Sequence, residues 1–181
     1  AKLRHCATVE DIDYRHPRGL DIAALLALAS CQWIRAHHNC LITGPTGVGK
    51  SYLACALAHR ACREGYSALY LRASRLFEEL AIAKGDGRYR KLLARFARID
   101  LLVLDDWGLS PLTEEQRKDM LEILEDRHER QSMIITSQFP VEKWHPIIAD
   151  PTLADAILDR LVHNAYNLTL KGDSLRKKKK N

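Results

Sequence analysis

A chain of 181 residues, 46% of them hydrophobic, is long enough for one domain with a sizeable core and too apolar to be disordered. Its 28 Lys and Arg against 23 Asp and Glu leave a net charge of +5, which permits a polyanionic partner without requiring one, since part of the excess is the run Lys177 to Lys180. Five cysteines with no C-x-x-C pair point to neither a disulfide framework nor a zinc site, and no run reaches the ~20 apolar residues of a membrane span, so a cytoplasmic protein with reduced thiols is expected.

Residues 1–19 read as an irregular segment containing the breaker "HPRG", and 20–36 as a helix. "CLIT" (40–43) is a short strand, and the spacing of Leu53, Leu57, Ala58 and Ala61 predicts a helix over 50–64 that Gly65 stops. "ALYL" (68–71) is the next strand, followed by helical pieces at 74–84 and 88–98 split by "KGDG". Strand 101–104 then runs into a loop with Gly108 and Pro111. A helix starts at Thr113, where Gln116 completes a capping box, and runs to about Gln131. Strand 133–137, helix 153–163, strand 166–170 and a short terminal helix capped by Asp173 complete the chain. Strands alternating with helices predict an α/β fold with a parallel sheet covered on both faces.

"GPTGVGKS" (44–51) fills every fixed position of the phosphate-binding pattern G-x-x-x-x-G-K-[ST], between a predicted strand and a predicted helix. Its backbone, from Gly44, Pro45, Thr46, Gly47, Val48 and Gly49 into Lys50, Ser51 and Tyr52, is the expected nucleotide cradle. Glycines let N–H groups turn inward around an anion, and the helix N-terminus adds partial positive charge. Lys50 is expected to reach the β- and γ-phosphates, and the Ser51 hydroxyl to bind Mg²⁺. The strand "LLVLDD" ends in two adjacent acids, which need a cation nearby to stay ionised together. Asp105 is expected on the Mg²⁺ shell. Asp106 is either the group that polarises the attacking water or the cap of the turn before Gly108. The guanine-reading string N-K-x-D is absent, which favours ATP.

Beyond the loop and the acids, the order "DIDYRHPRGLD", "GDGRY", "LLVLDDWGL", "LEILEDRH", "IITSQ", "DPTLADAILDRLVHNA" and "LKGDSLRK" resembles the IstB-like helper ATPases of insertion sequences, AAA+ proteins related to the DnaC loaders and DnaA initiators. The resemblance covers nearly the whole chain. It implies a three-layer α-β-α P-loop NTPase with a five-stranded parallel sheet and little or no separate lid. It divides the chain into a linker (1–19) contributing to the nucleotide site, an ATPase core (20–172) and a C-terminal helix with a basic tail (173–181). It also implies ATP bound between subunits of a homo-oligomer, assembly on double-stranded DNA, and a partner transposase that the protein assists in target selection. A DnaC-like helicase loader and a nucleotide-gated DNA scaffold with little hydrolysis are the alternative readings.

Carried over by position, Lys50, Asp105 and Asp106 are catalytic. The sensor 1 position falls within Thr136 to Gln138, with Ser137 preferred. Arg160 matches the arginine finger toward a neighbouring subunit, and Arg176 the sensor 2 arginine in cis. Two departures stand out. Where most AAA+ proteins have Asp-Glu, Asp106 is one methylene shorter, and the additional N-terminal region of the relatives is expected to be missing. The pieces at 74–84 and 88–98 gather Lys84, Arg88, Arg90 and Lys91, expected to meet DNA phosphates with little sequence readout.

Overall fold

Strands this short and apolar are stable only when both faces are covered, and the chain alternates them with helices that do so. The computed structural model describes residues 3–176. β1 (Asn39–Thr43), β2 (Ala68–Arg72), β3 (Leu101–Asp105), β4 (Ser132–Ser137) and β5 (Ala165–Thr169) form one parallel sheet in the order β2-β3-β4-β1-β5. Alternate residues along each strand feed opposite faces. Cys40, Ile42, Leu101, Val103 and Ile134 face α1 (Ile22–Ala29), α2 (Gln32–Arg35) and α3 (Lys50–Arg63). Leu41, Leu102, Leu104, Met133 and Ile135 face α4 (Ala73–Gly85), α5 (Tyr89–Arg98), α6 (Glu114–Arg127), α7 (Trp144–Ile148) and α8 (Pro151–Val162). The expected three-layer α/β sandwich is present, and among the described residues no helix is long and apolar enough to cross a membrane.

The helix expected over 20–36 is two helices. Asp21 caps α1 by accepting from the Ala24 amide. The Ser30 hydroxyl then turns back to the Ala27 carbonyl, and Cys31 takes a left-handed φ of 59°. The reversal drops Trp33 into the core, with its Nε1 donating to the Leu28 carbonyl at 2.8 Å. Helical periodicity misses this break because both halves are apolar.

The capping box of α6 forms between Thr113 and Gln116, but the helix stops at Arg127 rather than near Gln131. The buried Arg127 guanidinium donates to the carbonyls of Phe96, Ile99, Asp100 and Ser132, tying the end of α5 to the start of β4. His37, Glu129 and Asn164, all left-handed, make the turns into β1, β4 and β5. α8 starts at Pro151, capped by Asp150, two residues before the expected start, and α7 was not expected at all. Near the C-terminus it is Ser174, not Asp173, whose hydroxyl accepts from the Arg176 amide. The remainder of the expected terminal helix lies outside the described residues.

The sheet order has one consequence for chemistry. β4 lies between β1 and β3, so the loop after β1, the acids at the end of β3 and the tip of β4 share the carboxyl edge of the sheet, where open α/β sheets bind ligands.

Candidate functional site

The loop leaving β1 turns through three glycines with left-handed or more open φ (Gly44 150°, Gly47 85°, Gly49 97°) and enters α3 at Lys50. Gly49 caps α3 without a side chain, so the first-turn amides carry no side-chain acceptor. Lys50 is nearly buried, its ammonium donating to the carbonyls of Gly44 at 2.7 Å and Pro45 at 2.8 Å. Burial lowers its pKa, against the attraction of Asp106 and Asp105. An ammonium has three donors, so one remains for an anion. In front of the loop lies a cleft of about 650 Å³, within the range of small-ligand sites. Thr46, Gly47, Gly49, Lys50, Ser51 and Tyr52 line it. Tyr52 forms a wall with the His5 ring, 6.3 Å away. Val48 is fully buried and contributes backbone rather than side chain.

Segments distant in sequence hold this loop in shape. The Leu170 amide donates to Thr43 and the Leu175 amide to Gly47, and a Cβ on Gly47 would lie 2.1 Å from the Ser174 hydroxyl. Arg18, only 3% exposed, donates to the Val48 carbonyl at 3.4 Å and the Asp13 carbonyl at 3.2 Å, placing a buried positive charge behind the loop.

Asp105 is fully buried at the end of β3 and meets three hydroxyls. Ser51 donates to it from α3 at 2.8 Å, Thr136 from β4 and Tyr70 from β2. Arg4, from the N-terminal segment, adds a guanidinium 3.6 Å from Oδ2. Asp106 has a left-handed φ of 59° and donates its amide to the Thr136 hydroxyl. Its carboxylate lines the cleft beside Arg72, 3.8 Å away. The two acids therefore point to different places. The adjoining Ser51 hydroxyl and Asp105 carboxylate are oxygen donors of the kind Mg²⁺ prefers, so the residues present fit that ion.

Within the triplet 136–138 it is Gln138, not Ser137, that faces the cleft. Ser137 is fully buried, donating to the Trp107 carbonyl at 2.8 Å and accepting from the Phe139 amide, so its hydroxyl is not available to the cleft. Gln138 lines the cleft and accepts a hydrogen bond from Thr46 of the loop at 3.0 Å. Arg176 also lines the cleft. Arg160 does not. Its own carbonyl accepts from the side chain of Asn39, at the amino end of β1, and its guanidinium rests on the Ala156 carbonyl and Glu125. The length of the sheet separates it from this chain's own loop.

The expected DNA-facing cations divide. The Lys84 ammonium is held by Asp119 at 2.8 Å, and the Tyr89 hydroxyl also donates to Asp119. Arg88 pairs with Asp86 at 2.6 Å. Both departures have one cause: acids on neighbouring turns and on α6 reach these cations first. Arg90, Lys91 and Arg95 make no ion pair among the described residues. Arg88, Lys91, Arg95 and Arg98 share with Leu92 and Ile99 an open groove along α5, so the free charge includes the expected Arg90 and Lys91 and extends further along the helix. Sequence reading gave no role to Arg4, Arg18, Tyr70, Arg72 and Ser174, which reach the site only through the fold; Arg18 and Ser174 lie within the quoted strings "DIDYRHPRGLD" and "LKGDSLRK".

A family model described as IstB-like ATP binding protein matches residues 1–181. An insertion sequence ATP-binding protein of Sinorhizobium fredii is 60% identical over 177 residues, 98% of this chain and 72% of that protein. The ATP-binding protein of insertion sequence IS21 from Pseudomonas aeruginosa is 34% identical over 180 residues, 99% of this chain and 68% of its own. Among solved structures, DnaI superposes with a TM-score of 0.78 at 22% identity, covering 91% of both chains. The replication initiator DnaA, bound to AMPPCP and single-stranded DNA, gives 0.73 at 18% identity. That match covers 96% of this chain but only about half, 52%, of the DnaA chain. At these identities the structures show the AAA+ fold alone.

Proposed function

Because the chain belongs to the family of IstB-like ATP binding proteins, we propose that it is an ATP hydrolase that assembles on double-stranded DNA and assists a partner transposase in choosing and receiving target DNA. The observation that carries the catalytic part is the meeting of Ser51 and Asp105 at 2.8 Å across the sheet edge, with Asp106 turned separately into the cleft.

The loop amides and Lys50 hold the β- and γ-phosphates of ATP, and Tyr52 and His5 wall the cleft beside them. Ser51 and Asp105 would hold Mg²⁺, which would supply charge neutralisation on the phosphate oxygens. Asp106 orients the attacking water and accepts its proton, and Gln138, tied to Thr46, fixes that water from the β4 tip. The hold of Arg72 on Asp106 restrains turnover until an assembly or DNA draws that arginine away. Arg160 lies too far from its own loop to act in cis, which supports a role toward a neighbouring subunit and ATP held between subunits of a homo-oligomer. Arg176 supplies a further cation to its own cleft, beside Lys50, Arg4 and Arg72. The phosphate-facing surface for duplex DNA is the groove of Lys91, Arg95 and Arg98.

The test is Asp106→Asn. The variant is expected to bind ATP, to assemble on duplex DNA and to stay there, with hydrolysis lost. Unchanged turnover would remove Asp106 from catalysis. Parent protein that binds ATP and DNA but releases no phosphate would favour a nucleotide-gated scaffold, and co-purification with a replicative helicase in place of a transposase would favour a loader.

A further inference from the structure

Asp105 is a crowded carboxylate. A carboxylate offers about four lone-pair sites, and here Ser51, Thr136 and Tyr70 take them with hydroxyl hydrogens while Arg4 stands 3.6 Å from Oδ2. The three hydroxyls come from α3, β4 and β2, elements anchored in the two cores. Arg4 comes from the segment before α1, which has no helix or strand of its own, and its side chain is about one-third exposed. Among the described residues it is the only cation within 4 Å of Asp105, its contact is longer than a hydrogen bond, and it is the partner that moves at least cost. It lines both the nucleotide cleft and the adjoining groove formed with Tyr70, Leu71, Arg72 and Ser74.

We propose that Arg4 is an internal counter-cation of the divalent-ion site: standing 3.6 Å from Asp105, it competes with Mg²⁺ for the same carboxylate and withdraws when Mg²⁺ and nucleotide enter. A buried carboxylate without a cation is costly, and two cations on one carboxylate repel each other. The site therefore exchanges one positive charge for another. Three residues beyond Arg4, Ala7 is packed into the core, so withdrawal is confined to a short stretch, and loading of the site is reported to the N-terminal segment. This inference rests on the reading of the cleft as an Mg²⁺–ATP site.

The experiment is a Mg²⁺ titration of a fluorescent, non-hydrolysable ATP analogue bound to the full chain, paired with Mn²⁺ binding followed by electron paramagnetic resonance. Arg4→Gln is expected to lower the half-saturating Mg²⁺ and Mn²⁺ concentrations by about 3- to 10-fold, the scale of one partly screened charge contact. Arg4→Lys, which keeps the charge, is expected to stay within about twofold of the parent. An unchanged or raised midpoint in Arg4→Gln, or an equal shift in Arg4→Lys, overturns the counter-cation role. If the parent binds no analogue at any Mg²⁺ concentration, the reading of the site itself fails. If the parent binds and only the Arg4 shift is missing, the reading stands and this inference falls.

Discussion

Gly47→Ala tests whether the C-terminal segment is part of the nucleotide site. Gly47 has φ +85°, and a Cβ built there would lie 2.1 Å from the Ser174 hydroxyl, 2.7 Å from its Cβ and 3.1 Å from its Cα. A left-handed alanine costs about 1 kcal/mol. Pushing Ser174 away also removes the 2.8 Å hydrogen bond from the Leu175 amide to Gly47, worth about 1 kcal/mol net. If the loop escapes by leaving its cradle shape, about 2 kcal/mol becomes a conformational tax on binding, or about 30-fold in the ATP dissociation constant. Adding Ser174→Gly removes the two nearest atoms and leaves the Cα, so the double variant is expected to regain about 1 kcal/mol relative to the sum of the singles. Equilibrium titration with a fluorescent ATP analogue on all four proteins measures this coupling, with urea denaturation reporting the share that falls on the fold. Strict additivity of the two substitutions would refute the argument, because Ser174 would then not be what the alanine meets.

Gln138→Ala is expected to lower the hydrolysis rate at least tenfold with ATP binding retained, whereas Ser137→Ala is expected to cost about 1–2 kcal/mol of stability and leave the rate of the folded protein nearly unchanged. Single-turnover hydrolysis beside urea denaturation checks the pair, and the reverse outcome would restore Ser137 as the sensor. Neutralising Lys91, Arg95 and Arg98 together is expected to reduce the slope of log affinity for duplex DNA against log salt by about 2–3, while Lys84→Met leaves it unchanged because Asp119 already holds that ammonium. Salt-dependent fluorescence anisotropy reads both. Arg127→Met strands the four carbonyls that the guanidinium serves and is expected to destabilise the fold by about 3–5 kcal/mol in urea; a loss under about 1 kcal/mol would mean that water replaces it freely.

The elements legible in the sequence were those whose signal is local. The capping box at Thr113, the glycines at 44–49 and the apolar runs of β1, β3 and β4 each carry their structure within a few residues. Errors arose where tertiary contacts decide the outcome. α1 and α2 share one apolar period, and what separates them is the turn at Ser30 and the left-handed Cys31 together with the burial of Trp33. α6 ends early because Arg127 has partners on α5 and β4. The partner of Lys84, Asp119, lies 35 residues away and is invisible to a reading along the chain.

The site was legible to the same limit. The doubled acid called for a positive partner, and the loop motif supplied Lys50, but what surrounds Asp105 depends on which strands flank β3. Register sets Arg72 opposite Asp105, which makes Tyr70, two residues earlier on the same face of β2, a diagonal neighbour. Such pairs have Cβ atoms roughly 7–8 Å apart, a gap that a tyrosine can span and a short side chain cannot. On the other side β4 continues its pairing with β3, through Ile135 opposite Leu104, so that Thr136 reaches Asp105 and holds the Asp106 amide with the same oxygen. The division of labour between the two acids therefore comes from their neighbours as well as from their own side chains. Thr136 fixes the turn that sends Asp106 into the cleft, while Tyr70 donates a hydrogen bond to Asp105 and Arg4 is the charge that Asp105 faces. A motif search stops at the acids because it reads one strand; the strand order β2-β3-β4 is the additional fact from which Tyr70 and Thr136 follow.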